Sequence, residues 1–143
     1  MDTPTHAGPA AVIDRLMEAT NAHDVDAIAA CFSPDYLNET PAHPERGFTG
    51  REQVRRNWTT ILGTVTDIEA SLVRTAVDGD TVWTEQAHRG TRPDGSLHEM
   101  AGVVVFGVAG DQITWARFYL EPVRNDNQGV EEFIRNHMAG GTP

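Results

Sequence analysis

One cysteine, Cys31, is all the thiol chemistry in the chain. A single thiol excludes an intrachain disulfide and a thiolate zinc site, and its place between Ala30 and Phe32 in an apolar helical pattern predicts a buried, inert side chain. Basic residues are scarce, 11 against 21 acidic ones, for a formal net charge of −10. That balance repels a phosphate backbone and an anionic membrane surface alike, so neither nucleic acid nor membrane is expected as a partner. Apolar runs are short, and none approaches the roughly 18 residues of a spanning helix. The opening stretch, Met1 to Pro9, has neither the basic start nor the apolar run of a leader, so the expected location is the cytoplasm. Internal repeats and long linkers are missing too.

What is there has ordinary globular composition: 143 residues, 39% hydrophobic and 22% charged, the size of one domain around one core. Pro9 suits a first helical position, and Val12, Ile13, Leu16 and Met17 form one apolar stripe, which predicts a helix to about Ala22. Asp24 can cap the next helix, in which Ile28, Cys31 and Phe32 repeat until Ser33 and Pro34 stop it. Asp35 to Thr40 reads as a short strand, followed by a Pro-rich loop from Pro41 to Gly47. Thr49 and Glu52 have capping-box spacing, and Val54, Trp58, Ile61 and Leu62 line one face of a third helix ending at Gly63.

From Asp67 onward the period changes to two. Ile68 to Val77, Thr81 to Thr91, Ser96 to Val108 and Ile113 to Val123 are rich in Val, Thr, Ile and aromatics, and the breaks between them are turn sequences: Asp78-Gly79, Pro93-Asp94-Gly95 and Ala109-Gly110-Asp111. This predicts a meander of long hairpins, strongly bent, with Gly90, Gly102 and Gly107 as bending points. A last amphipathic segment, about 128 to 138, carries Val130, Phe133, Ile134 and His137. The expected class is α+β, three helices over a strongly curved antiparallel sheet with a short C-terminal helix.

That order of elements resembles the nuclear transport factor 2-like superfamily, particularly its SnoaL-like branch, over residues 10 to 125. The residues that carry the likeness are Phe48-Thr49-Gly50-Arg51-Glu52, the hairpin Val77-Asp78-Gly79-Asp80, and Gln112-Ile113-Thr114-Trp115-Ala116-Arg117-Phe118-Tyr119. The resemblance implies a cone whose interior holds a ligand, and a homodimer through the outer face of the sheet. Its members include polyketide cyclases, ketosteroid isomerase, limonene-epoxide hydrolase and dehydratases, together with non-enzymatic binders. Fold alone does not choose among these.

Strand parity sorts the side chains. His98, Met100, Gly102, Val104 and Phe106 share one face, opposite Leu97, Glu99, Ala101, Val103 and Val105. Ala116, Phe118 and Leu120 share the interior face of the last strand, and Trp115, Arg117 and Tyr119, with Val103 and Val105 beside them, form the expected dimer surface. Similarity to limonene-epoxide hydrolase places Gln86 and His88 inward, where that enzyme carries its catalytic Arg and one Asp, and places Tyr36 and Asn38 on its water-positioning Tyr-x-Asn pair. Where the hydrolase has two Asp residues this chain has His88 and Phe118, which disfavours that mechanism unless Glu121 or Glu45 enters the site. Phe118 also replaces the acid of the cyclases.

The catalytic candidates are therefore His88, for proton transfer near neutral pH, with Tyr36, Asn38, Gln86 and His98, and the ligand wall is expected from Trp58, Leu62, Met100, Phe118 and Leu120. The bland alternative for each is a strand side chain satisfied by a neighbour, or ordinary core. Glu99 faces away from His98, so no metal is expected, and no redox cofactor. The leading reading is a cofactor-independent isomerase, cyclase or dehydratase acting on a small hydrophobic carbonyl or polyketide-like molecule. The rivals are a non-catalytic binder or dimerisation domain, and an epoxide hydrolase with a non-standard acid.

Overall fold

The computed structural model describes residues 7–140; most of the N-terminal stretch considered above, positions 1–6, and positions 141–143 lie outside them. Helix α1 (Pro9–Asn21) begins at Pro9, whose fixed φ and missing N–H suit a first turn, and buries Val12, Ile13, Leu16 and Met17. The Asn21 amide then ties its end to the sheet. Nδ2 donates to the Ala70 carbonyl at 2.8 Å, and the Ala70 N–H donates to Oδ1 at 2.7 Å. Helix α2 (Val25–Ala30) is capped by Asp24, whose carboxylate accepts from the Ala27 N–H at 3.0 Å. Cys31 follows as the C-cap, wholly buried, with Sγ donating to the Ala27 carbonyl at 3.4 Å; burial pushes its thiol up.

Strand β1 (Phe32–Glu39) starts directly after Cys31 and contains Pro34, so it is longer at its front than the pattern suggests. A 3-10 turn, Pro44–Arg46, leads into the two-residue strand β2 (Phe48–Thr49), which pairs antiparallel with β1, Leu37 opposite Thr49. That pairing overrides the expected capping box. Thr49 is committed to the strand, and Gly50, at φ 100°, is the N-cap of α3 (Arg51–Thr64), with no side-chain cap. Its N–H donates instead to the Tyr36 carbonyl at 2.7 Å.

The meander follows as β3 (Glu69–Asp78), β4 (Thr81–Thr91), β5 (Leu97–Ala109) and β6 (Gln112–Pro122). The six strands form one curved, unclosed sheet in the order β2-β1-β6-β5-β4-β3. All neighbours are antiparallel except β1 and β6, which run parallel because α3 and the meander carry the chain away from β1 and back. Of the three expected bending points, Gly102 alone combines a positive φ, 150°, with backbone crowding: a Cβ there would sit 2.2 Å from the Tyr119 carbonyl oxygen. Gly90 and Gly107 make room for side chains instead, Val65 at 2.2 Å and the Trp115 indole at 1.8 Å from their hypothetical Cβ atoms. A register shift falls immediately after Gly107.

The inner face buries Val82 and Thr84 of β4, Val104 and Phe106 of β5, and Ala116 and Leu120 of β6, while α1 covers the far end with Ile13, one of several wholly buried residues worth about 1.5–3 kcal/mol each. The outer face differs from expectation in two places. Val105 is buried, flanked across the strands by Trp83 and Arg117, and Trp115 is half-buried over Gly107. Exposed apolar area there comes from Trp83, Leu97 and Tyr119. Beyond β6, residues 123–129 lead to α4 (Val130–Met138), whose Val130, Phe133, Ile134 and Met138 are exposed. Among the described residues no helix is long and apolar enough to cross a membrane.

Candidate functional site

A cavity of about 310 Å³ lies between α3 and the concave face of the sheet. The volume is at the small end of the range for small-molecule sites, about 300–1,000 Å³. Helix α3 contributes Val54, Trp58 and Ile61 at helical spacing, and β5 and β6 contribute Met100, Phe118 and Leu120. Phe32 and Phe48 close the side nearest β1, each edge-on to Tyr36 with ring centroids 4.7 and 6.0 Å away. The wall is therefore mostly apolar, and its few polar groups carry what chemistry it has.

His88 lies on the buried side of β4, where burial alternates strictly from Val82 to Gly90. Its Nε2 is 2.9 Å from Gln86 Oε1, Gln86 Nε2 donates to Thr84 Oγ1 at 3.0 Å, and Thr84 Oγ1 donates to the Val104 carbonyl at 2.8 Å. A carbonyl can only accept, so every direction in this relay is fixed from its far end. Thr84 spends its proton on Val104 and must accept from Gln86, which then offers only its oxygen to the imidazole. His88 is thus the Nε2–H tautomer, and Nδ1 keeps a free lone pair. Burial, and secondarily the charge on His98, lowers its pKa from 6.5 to about 4, so the ring is neutral at pH 7. His98, paired across the ladder with Gly90, also lines the cavity, and burial and then Arg92 lower it too.

Tyr36 and Asn38 are two apart on β1, both buried, and share an inward face. The Tyr36 hydroxyl donates to Asn38 Oδ1 at 2.7 Å, and burial pushes the phenol upward, so it remains a protonated donor. With its oxygen occupied, Asn38 has Nδ2 left for the cavity. Glu121 is held elsewhere: Oε1 is 2.9 Å from His43 Nε2 and Oε2 is 3.8 Å from Arg46 Nη1. Neither Glu121 nor Glu45 lines the cavity. Among the described residues no three His, Cys, Asp or Glu side chains gather as a metal site.

Of the residues expected from sequence, the structure brings Tyr36, Asn38, His88 and His98 to one cavity, with Trp58, Met100, Phe118 and Leu120. Gln86 is not at the wall. Both ends of its amide are used in the relay, so it acts on His88 rather than on a ligand oxygen. Leu62 packs against the core outside the lining, because Val54, Asn57, Trp58 and Ile61 form the inward stripe and Leu62 lies one step further round the helix. Arg46 and Asn57 were missed. Asn57 had a legible signal, a polar residue on an otherwise apolar helical stripe, whereas Arg46, in a Pro-rich loop, had none.

The architecture has many counterparts among solved structures. An LEH-like epoxide hydrolase of M. tuberculosis is 19% identical, covers 92% of this chain and 92% of its own, and superposes with a TM-score of 0.69. The epoxide hydrolase/cyclase-like enzyme SalBIII, described in pyran ring formation in the polyether salinomycin, is 18% identical over 82% of this chain and 92% of its own, also at 0.69. A hypothetical protein of ketosteroid isomerase-like fold from Catenulispora acidiphila, in complex with trimethylamine, is 17% identical over 76% of this chain and 84% of its own, at 0.66. At these identities the likeness is one of fold. No curated protein matches the chain. Residues 13–116 match the SnoaL-like domain, and the chain belongs to that family.

Proposed function

We propose that the chain is a cofactor-independent enzyme of the isomerase, cyclase or dehydratase type, moving a proton on a small hydrophobic carbonyl compound held in the cavity. The observation that carries this reading is the relay behind His88, which leaves Nδ1 as an unprotonated acceptor in an apolar chamber. Nδ1 takes a proton from the carbon next to the carbonyl, the electron pair moves onto the carbonyl oxygen, and the Asn38 Nδ2–H, turned outward by Tyr36, donates to that oxygen. The imidazolium then returns the proton to carbon, or to a leaving hydroxyl. An imidazolium of pKa about 4 is a strong acid in the empty cavity, and the enolate beside it makes it a weaker one. With Glu121 held by His43, epoxide opening by a carboxylate has less support.

The test is hydrogen-deuterium exchange at the α carbon of 2-tetralone in heavy water, followed by proton NMR. The expected result is exchange faster than buffer with the native chain and slower by about 100-fold or more with His88→Asn. Exchange no faster than buffer, or unchanged in the variant, would leave a cavity that holds a ligand without transforming it. The same reading pairs two copies through the outer sheet face, where Trp83 and Tyr119 are 50% and 43% exposed, with Arg117 and the edge of Trp115 beside them.

A further inference from the structure

The donors at the cavity are fixed by what stands behind them, as the acceptor on His88 is. On α3, Arg56 Nη2 donates to Gln53 Oε1 at 2.7 Å. A guanidinium can only donate, so Gln53 must present its oxygen there and its Nε2 to Asn57, whose Oδ1 accepts at 2.7 Å. Asn57 is left with Nδ2 for the cavity it lines, the same condition in which Tyr36 leaves Asn38. Both carboxamides at the wall therefore offer hydrogens and have their oxygens engaged.

Among the described residues, Arg46 is the one charged residue of the lining. Gly47 packs against the Asn38 backbone, with a hypothetical Cβ 3.2 Å from the Asn38 carbonyl, and this roots Arg46 beside Asn38. Its guanidinium is only loosely held, 3.8 Å from Glu121 Oε2, while the other oxygen of that carboxylate lies 2.9 Å from His43 Nε2. Although the chain carries a net charge of −10, no acidic side chain among the described residues lines the cavity. The one positive charge at the cavity, on a side chain 60% exposed at its rim, stands against an acidic exterior.

We propose that this end of the cavity is an anion subsite, in which Arg46, supported by the amide hydrogens of Asn38 and Asn57, binds the carboxylate of an otherwise apolar substrate. The inference rests on the reading of this cavity as a substrate site and adds the substrate class: an apolar carbonyl compound that is also a monoanionic acid. One guanidinium balances one negative charge, so a phosphate dianion would be left partly unpaired in an apolar wall. Carboxylate and guanidinium also match in planar, two-point geometry.

Equilibrium binding of two probes of equal shape, 2-naphthoate and 2-naphthamide, tests this by titration calorimetry at pH 7.5 and low salt, with no turnover involved. The native chain is expected to prefer the carboxylate by about tenfold, less at high salt because Arg46 is partly exposed. Arg46→Gln is expected to abolish the preference while still binding the amide, which also shows that the variant is folded. Glu121→Gln, which removes the competing carboxylate, is expected to enlarge it. Binding of both probes without charge preference, or a preference that survives Arg46→Gln, overturns the anion subsite alone. Binding of neither probe overturns the substrate-site reading and the subsite with it.

Discussion

Gln86 and His88 occupy alternate positions on β4, and their side chains meet edge to edge at 2.9 Å. The carboxamide is a neutral acceptor, so it orients the ring without attracting a proton to it. Gln86→Glu puts a carboxylate in the same place, and an adjacent negative charge favours the imidazolium. The His88 midpoint, read from its ring-proton shifts across a pH titration, is expected to rise from about 4 to above about 6. A midpoint that stays low would mean the two side chains are not joined in solution.

Stability should carry the same signature. In the unfolded chain the imidazole titrates at the ordinary 6.5, while in the fold it is lowered to about 4. Between those values the unfolded state binds a proton that the folded state refuses, so stability is full above about pH 6.5, falls as pH drops, and levels off below about 4; the ceiling is about 3 kcal/mol. Carboxylates titrate in the same range, so the measurement is the difference between native and His88→Asn in urea midpoints at pH 7, 5 and 4. The native chain is expected to lose more stability on acidification than the variant, and equal losses would contradict the assignment.

Backbone crowding at Gly102 gives a prediction about folding alone. Gly102→Ala forces a Cβ against the Tyr119 carbonyl at a φ of 150°, and is expected to cost about 3 kcal/mol or more in urea unfolding. Gly95, at φ 86° with nothing within 4 Å of a hypothetical Cβ, provides the comparison: Gly95→Ala should cost about 1 kcal/mol. Similar costs at the two positions would show that β6 does not press on β5 as described.

The proposed pairing of outer faces predicts that Tyr119→Asp dissociates the dimer. Tyr119 lies opposite Val103 on β5, and in an isologous contact the substitution buries two unpaired charges, one from each copy. Sedimentation velocity of the native chain at micromolar concentration is expected to give a dimer, and of the variant a monomer that melts normally. A native monomer would remove the proposal.

Much of the sheet was legible before any coordinates. Thr81 to Thr91 emerged with the same ends, because its alternation is unbroken and Asp78-Gly79 precedes it. Parity grouped His88 with Gln86 and His98 with Met100, and the likeness to limonene-epoxide hydrolase turned the Gln86 and His88 face toward the cavity that both imidazoles line. Two residues are too few for any period, so Phe48–Thr49 was not seen as a strand, and the Thr49–Glu52 spacing then read as a cap the chain does not form. The missed cavity residues differ: Arg46 enters through the tertiary placement of its loop, which no linear pattern fixes, whereas Asn57 was legible as the polar residue on an otherwise apolar stripe of α3. Leu62 is the same error in reverse.

The two relays end in groups that cannot change their part, a main-chain carbonyl at Val104 and a guanidinium at Arg56. Redesigning the apolar wall through Trp58, Met100 or Phe118 would alter which molecules fit without reversing which end gives hydrogens and which receives them. New specificities could therefore be selected in this scaffold by changing shape first, with the direction of proton flow inherited from residues no ligand touches.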